Sequence, residues 1–397
     1  MPAGLHDEIP AALHEHLKAW GLRRFTSDRD YFGWQQASFR AEDLAALHRA
    51  VESRRQGGPE ADIAFYDLTA QPALIPALYS QRYDYYLEVG SRVTALIESR
   101  PSILDVGCGI GILTTFYAAQ HPGCRVIGID RSSASIEVAR RRAREMGVTN
   151  VQFECADLDK EILSGCYPLI IATHTLFQAE QDLGLPSRSW QTFERDYDPL
   201  TQQAFERRTE IGVRLDRLSN VLASGGRVIV FEKARLLSRR VPFQRALAAR
   251  RLEPLLPPLP IRYHSVEEII EDGPLYVLSR EQPSQCWDEQ PEPDDAPRLD
   301  LTSIMKGSLN GEAPLYENHW ASAQEAWQQL PARRVLQEVT TDQSQGRQLH
   351  AELGVSGSLV YLYVANTYDQ RQLVIVEAAR HGMLEEYYRE IVGSASR

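Results

Sequence analysis

Residues 103–113 read ILDVGCGIGIL. Three glycines stand at alternate positions, Gly107, Gly109 and Gly111, behind an apolar run broken by one acid, Asp105. A short apolar run that ends in glycines and continues as LTTFYAAQ reads as a buried strand turning sharply into a helix. Such a turn brings backbone N–H groups and a helix N-terminus to one spot. Glycine there permits positive φ and close approach of a ligand. The spacing is G-x-G-x-G. A dinucleotide turn would need its third glycine at Ile112, and the phosphate loop G-x-x-x-x-G-K-[ST] is absent. The loop therefore needs no phosphate to explain it.

Downstream, strands and helices alternate. RVIGID reads as a second strand, and SSASIEVARRRAREMG as a helix capped by Ser132 or Ser133 and closed by Gly147. VQFECAD, LIIATH and, after the turn ASGG, RVIVFE supply three more strands. The helix before that turn carries Ile211, Leu215, Leu218 and Leu222 on one face. SVEEIIEDGPLYVLSRE is expected to add a helix and a strand. The strands are continuous apolar runs, as expected of a parallel sheet covered on both faces. Residues 1–90 read as helices with a break around Pro72 and Pro76, and residues 91–282 as the α/β domain. Residues 281–297 hold six acids and four prolines, a linker composition. Residues 298–397 read as a small α+β domain with four strand candidates and a closing helix.

Two further acids accompany Asp105. Asp130 ends the second strand, where a carboxylate can accept from both ribose hydroxyls. Asp157 follows the third strand, near the expected position of an adenine amine. An acid beside the glycine loop suits a ligand carrying an ammonium group.

These residues resemble the class I S-adenosylmethionine-dependent methyltransferases. The family's first motif is matched by DVGCGIG (105–111), its ribose acid by Asp130 in VIGIDRS, its third-motif acid by Asp157 in ECADLD, and its fifth-strand approach by LASGGRVIVFE. The resemblance spans roughly residues 60–280. It implies a Rossmann-like α/β fold with a seven-stranded, mostly parallel sheet and S-adenosylmethionine at the carboxyl ends of the strands. It implies cofactor contacts from Asp105, Gly107, Cys108, Gly109, Gly111, Asp130, Arg131, Ala156, Asp157 and Thr173.

After the fourth strand the sequence is THTLFQ. The N/D-P-P-Y/F found there in enzymes that methylate planar amides and bases is missing, and so is a Pro-Cys pair for a cysteine nucleophile. His174 is the candidate general base, since a neutral imidazole can take a proton from a hydroxyl, amine or acid; the alternative is a structural histidine. Tyr66, Tyr83, Phe177 and Gln178 are candidate substrate contacts, with core packing as the alternative. Trp190, Phe193 and Tyr197 lie in an insertion expected to shape the same pocket. Residues 233–262 carry eight Lys/Arg and one Glu, a solvated face, a binding surface for a carboxylate, phosphate or acidic peptide, or a partner for the acidic linker.

The net charge of −11 argues against nucleic acid as a partner, and no apolar run is long enough to span a bilayer. Five scattered cysteines without metal-ligand spacing indicate reduced thiols, a cytoplasmic location and no metal site. The leading expectation is a methyltransferase acting on an oxygen or nitrogen of a small metabolite or natural product. The alternatives are a protein or peptide methyltransferase whose C-terminal domain reads the substrate, and a non-catalytic SAM-binding protein, with a homodimer as one use of that domain.

Overall fold

The computed structural model describes residues 5–55, 57–177, 182–281, 284–305, 314–342 and 346–395. Among the described residues, six α-helices precede the sheet: α1 (Leu5–Ala19), α2 (Asp28–Ser38), α3 (Ala41–Arg55), α4 (Pro59–Thr69), α5 (Ile75–Tyr79) and α6 (Tyr83–Leu96). Pro59 opens α4, where its missing N–H has no helical partner to lose. The chain leaves helix between α4 and α5, around Pro72.

The apolar run becomes β1 (Ser102–Val106), and α7 (Ile112–Gln120) starts on Gly111. All three glycines have positive φ, +71°, +53° and +85° in order. Crowding fixes two of them as well. A Cβ on Gly107 would lie 2.0 Å from Thr175 Oγ1, and one on Gly111 would lie 2.9 Å from the Ala139 Cβ. The chain continues through β2 (Arg125–Asp130), α8 (Ser133–Glu145), β3 (Val151–Cys155), β4 (Tyr167–Thr173), α9 (Pro199–Arg208), α10 (Ile211–Val221), β5 (Leu222–Phe231) and α11 (Leu237–Ala249). Ser132 caps α8, its Oγ accepting from the Ser135 N–H at 3.0 Å.

Then come β6 (Glu253–Pro254), β7 (Leu259–Pro260), β8 (Tyr263–Ser265), β9 (Glu268–Ile270) and β10 (Pro274–Ser279). The sheet runs β3-β2-β1-β4-β5-β10-β6, with β7 also paired to β10. Its first five strands are parallel, and β10 is antiparallel to β5. This is a Rossmann-like sheet, eight-stranded where seven were expected, because the two-residue β7 adds to the edge. Its core is made of apolar runs such as Ile170, Ile171 and Ala172, buried on both faces.

Two expectations need correction. The turn ASGG lies inside β5: Tyr167 pairs with Leu222 and Leu169 with Arg227, so residues 223–226 form a bulge, with Gly225 at φ +66°. SVEEII is no helix but closes the hairpin of β8 and β9. The cause is tertiary, since Tyr263 packs edge-on against Tyr85 at 5.4 Å and its hydroxyl bonds Asp272. An alternating strand satisfies both contacts.

The chain divides into two compact units. The first comprises Met1–Asp182, Glu206–Arg235 and Phe243–Trp287; the second comprises Leu183–Phe205, Leu236–Pro242 and Asp288–Arg397. The second contains α12 (Leu301–Met305), β11 (Tyr316–Asn318), α13 (Ser322–Gln329), β12 (Arg333–Asp342), β13 (Gln348–Ser356), β14 (Leu359–Asn366), β15 (Arg371–Glu377) and α14 (His381–Ala395). Its antiparallel sheet runs β11-β15-β14-β13-β12. Leu384 and Tyr388 of α14 pack on one face, and Trp190 and Trp327 on the other. Trp190 stacks on His350 at 3.6 Å, within this unit, to which residues 183–205 belong. Within the same unit Arg240 bonds Glu292 at 2.6 Å, joining the basic stretch to the acidic linker.

Candidate functional site

Strand order reverses between β1 and β4, which leaves a crevice at their carboxyl ends. A cavity opens there with about 1200 Å³ of empty space, its mouth included. Val106–Gly109 after β1 and Thr173–Thr175 after β4 form its floor, and Tyr66, Tyr79, Arg82, Tyr85 and Tyr86 from the helices form a wall.

The glycine loop and Asp130 are tied together. Asp130 accepts from the Gly109 N–H and the Ser132 N–H, both at 2.9 Å. Burial raises its carboxyl above the usual range despite those bonds. Asp105 lies deeper, 5% exposed, and accepts from the Thr114 hydroxyl at 2.5 Å. Burial, with the Asp130 charge adding to it, pushes Asp105 up to about 7. Neither acid has an ion-pair partner among the described residues. Two carboxyls without an ion-pair partner, one buried and one half-buried, beside open backbone fit a ligand that brings ammonium or sulfonium charge, as S-adenosylmethionine does.

A strap closes this end. Asp62 of α4 is buried and pairs with both Arg54 at 2.7 Å and Arg131 at 2.8 Å. Asp67, one turn on, accepts from the Ser132 hydroxyl at 2.7 Å. Ala156 and Asp157, after β3, line the cavity, but the Asp157 carboxylate accepts from the Asp159 N–H at 2.9 Å and pairs with Lys160 at 3.1 Å.

Beyond β4 the backbone turns through His174 at φ +53°. Glu232, at the end of β5, secures the turn by accepting from the N–H groups of Thr175 (3.0 Å), Leu176 (2.8 Å) and Phe177 (3.4 Å). Burial nonetheless raises Glu232 to about 7. The His174 ring is sandwiched between Tyr85 at 4.9 Å and Phe231 at 5.0 Å. The Arg82 guanidinium lies 3.0 Å from its Nδ1. Nε2 lies 3.1 Å from the Asp272 carboxylate, an ion-pair distance without hydrogen-bond alignment. Burial lowers His174 to about 4, with the Arg82 charge acting in the same direction, so the ring is neutral at neutral pH. A guanidinium only donates, so Nδ1 is the acceptor and the proton sits on Nε2.

Of the residues singled out from sequence, Asp105, Gly107, Cys108, Gly109, Asp130, Arg131, Ala156, Asp157, Thr173, His174 and Tyr66 line the cavity. Gly111 lies behind it, against Ala139 and Phe153. Tyr83 turns away and bonds His14 Nδ1 at 3.0 Å. Phe177 is buried, stacked on Phe243 at 6.0 Å, because Glu232 draws its backbone inward. Gln178 lies outside the described residues. Sequence reasoning missed Asp62, Arg82 as a partner of His174, Glu232 and Asp272. Glu232 left a signal, an acid ending an apolar strand; Asp272, in a polar turn, left none.

A family described as a methyltransferase domain matches residues 97–249. The malonyl-[acyl-carrier protein] O-methyltransferase of Acetivibrio thermocellus is 36% identical over 113 residues, 26% of this chain and 38% of that protein. The release factor glutamine methyltransferase of Escherichia coli is 25% identical over 189 residues, 47% of this chain and 66% of that protein. The chain thus spans less than two thirds of either relative. Among solved structures, magnesium protoporphyrin IX methyltransferase from Synechocystis with bound SAM aligns at a TM-score of 0.35 and 17% identity, covering 50% of this chain and 83% of that one. Residues 97–249 are a methyltransferase domain of the class I, S-adenosylmethionine-dependent kind.

Proposed function

We propose that the whole chain is a methyltransferase that transfers the methyl group of S-adenosylmethionine to a small acidic or polar metabolite. The observation that carries this reading is the pair of acids at the strand ends beside the glycine loop, buried Asp105 and half-buried Asp130, neither of which has an ion-pair partner among the described residues. In this reading Asp130 receives the ribose, Asp105 balances the positive end of the ligand, and the strand-three turn at Ala156 and Asp157 borders the adenine. Bound S-adenosylmethionine supplies an electrophilic methyl group on a sulfonium. The chain's own residues align the acceptor with it and keep water out. Tyr66, Tyr85 and Tyr86 wall the acceptor side.

His174 acts here as a positioning residue for Arg82. The lone pair a general base would use is the one that receives the guanidinium. The missing N/D-P-P-Y/F and the net charge of −11 favour a small acceptor over a planar amide, base or nucleic acid. A protein acceptor is the second reading, favoured by the relative named for release factors. Five free cysteines suit a reducing, cytoplasmic setting.

Calorimetry with S-adenosylhomocysteine tests the cofactor assignment. Wild-type protein binds it, and Asp130→Ala weakens binding at least about tenfold, the equivalent of ~1.4 kcal/mol. Equal affinity in the two proteins contradicts the assignment.

A further inference from the structure

Four arginines reach the cavity wall: Arg54, Arg82, Arg131 and Arg214. Three are paired with carboxylates. Arg54 and Arg131 share Asp62, and Arg214 holds Asp159 through two bonds of 2.7 Å. Arg82 has no carboxylate partner among the described residues. Its guanidinium lies over the Tyr85 ring, 4.2 Å from the centroid, and directs one N–H to His174 Nδ1. A guanidinium has five N–H donors in a fixed fork. A single neutral acceptor leaves most of that fork unspent.

The surroundings hold the fork in one orientation without neutralising it. The Tyr263 hydroxyl bonds Asp272, Asp272 faces His174 Nε2, and His174 Nδ1 faces Arg82. Tyr85 and Tyr86 are buried phenols, which burial keeps protonated. A positioned cation beside the aromatic wall, with no counter-ion of its own, is a built site for an anion.

Among the described residues, every acid lining the cavity already has a partner: Asp159 holds Arg214, Asp157 holds Lys160, Asp130 accepts from two amides, and Asp105 accepts from the Thr114 hydroxyl. The His174 lone pair is spent on Arg82. An alcohol or an ammonium must lose a proton before it can attack, whereas a carboxylate is already ionised at neutral pH.

We propose that Arg82 anchors the acceptor by an ionised carboxylate, and that the acceptor is a carboxylic acid methylated on its own oxygen. This rests on the methyltransferase reading above. A carboxylate oxygen shares its electron pair with the methyl carbon while the carbon–sulfur bond breaks and leaves its pair on sulfur. The negative charge of the acid and the positive charge of the sulfonium cancel. The products are a methyl ester and a thioether, and no proton is released.

The test is the binding of benzoate to protein saturated with S-adenosylhomocysteine, with benzyl alcohol and benzylamine as uncharged and cationic controls. Benzoate is expected to bind at least tenfold more tightly than either control. Arg82→Gln abolishes that preference, and Arg82→Lys keeps part of it, since a point charge replaces the fork. S-Adenosylhomocysteine affinity stays within threefold of wild type in both variants, which also verifies that they are folded. Benzoate binding no better than benzyl alcohol overturns the proposal. So does a loss of S-adenosylhomocysteine affinity of tenfold or more in the folded Arg82→Lys variant, which would assign Arg82 to the cofactor's carboxylate and leave the methyltransferase reading intact. Failure of the wild-type chain to bind S-adenosylhomocysteine removes that reading and the proposal with it.

Discussion

Asp105 is held in the cavity at a cost to its charged form that protonation relieves. Its carboxyl titrates near 7 in the folded chain because of burial, against 3.8 as the ordinary value. Between those values the unfolded chain gives up the proton first, so this group makes stability fall as pH rises from about 4 to about 7. Asp105→Asn removes that slope. The variant is expected to melt a few degrees above wild type near pH 8 without ligand, with the gap closing near pH 4, and to bind S-adenosylhomocysteine about tenfold more weakly. A scanning-calorimetry series over pH checks the first expectation. A constant offset at every pH would contradict it. At this scale the glycine loop was legible because its demand is local: the backbone turn, the close approach of Thr175 and the helix start lie within a few residues of sequence or under one ligand. The set Arg82, His174 and Asp272 was not legible, because it joins groups 92 and 98 residues apart, and nothing in the run THTLF announces which charge will face the imidazole.

Helix α4 works as an element rather than as single residues. Asp62 and Asp67 stand on it within two turns, and both fasten it to the residues that follow Asp130. Asp62→Asn should loosen the strap at both Arg54 and Arg131. The carboxylate is buried while Arg54 is 38% exposed, so solvent screens part of the pair and the stability loss is about 1–2 kcal/mol. Trypsin is expected to cut after Arg54 and Arg55 several-fold faster than in wild type, with S-adenosylhomocysteine affinity down about three- to tenfold. Unchanged cleavage would mean that α4 is held by apolar packing alone. Asp62 reads in sequence as one more acid in the first turn of a helix, a place where acids are common for the dipole's sake. Its two arginine partners lie 8 and 69 residues away, so its burial could not be inferred. The parallel strands β1, β2, β4 and β5 were legible for the opposite reason. A strand covered on both faces must be apolar throughout, and that is visible in one window. The β8–β9 hairpin was misread because SVEEII carries helix-forming glutamates. Contacts of Tyr263 with Tyr85 and Asp272 override that propensity.

At the scale of the whole molecule, the first unit contains the cavity together with Asp62, Asp105, Asp130, Asp157, Glu232 and Asp272. The second builds its own core on a five-stranded antiparallel sheet, with Tyr361, Tyr363 and Ile375 fully buried. Four of its strands were legible as runs between short polar or glycine-containing turns, whereas the three-residue β11 was not. The capture of residues 183–205 by this unit was not, since Trp190 gives no sign in sequence that it will stack on a histidine 160 residues further on. None of the described helices is long and apolar enough to cross a membrane. The central claim concerns the cavity at the carboxyl ends of β1 and β4. Its most direct test is the melting of the full chain with S-adenosylhomocysteine, set against NAD and ATP. At about 100 times its dissociation constant a ligand adds ~2.7 kcal/mol of stability. The account predicts a rise of a few degrees with S-adenosylhomocysteine and none with NAD or ATP. A rise with either nucleotide control, or none with S-adenosylhomocysteine, would contradict it.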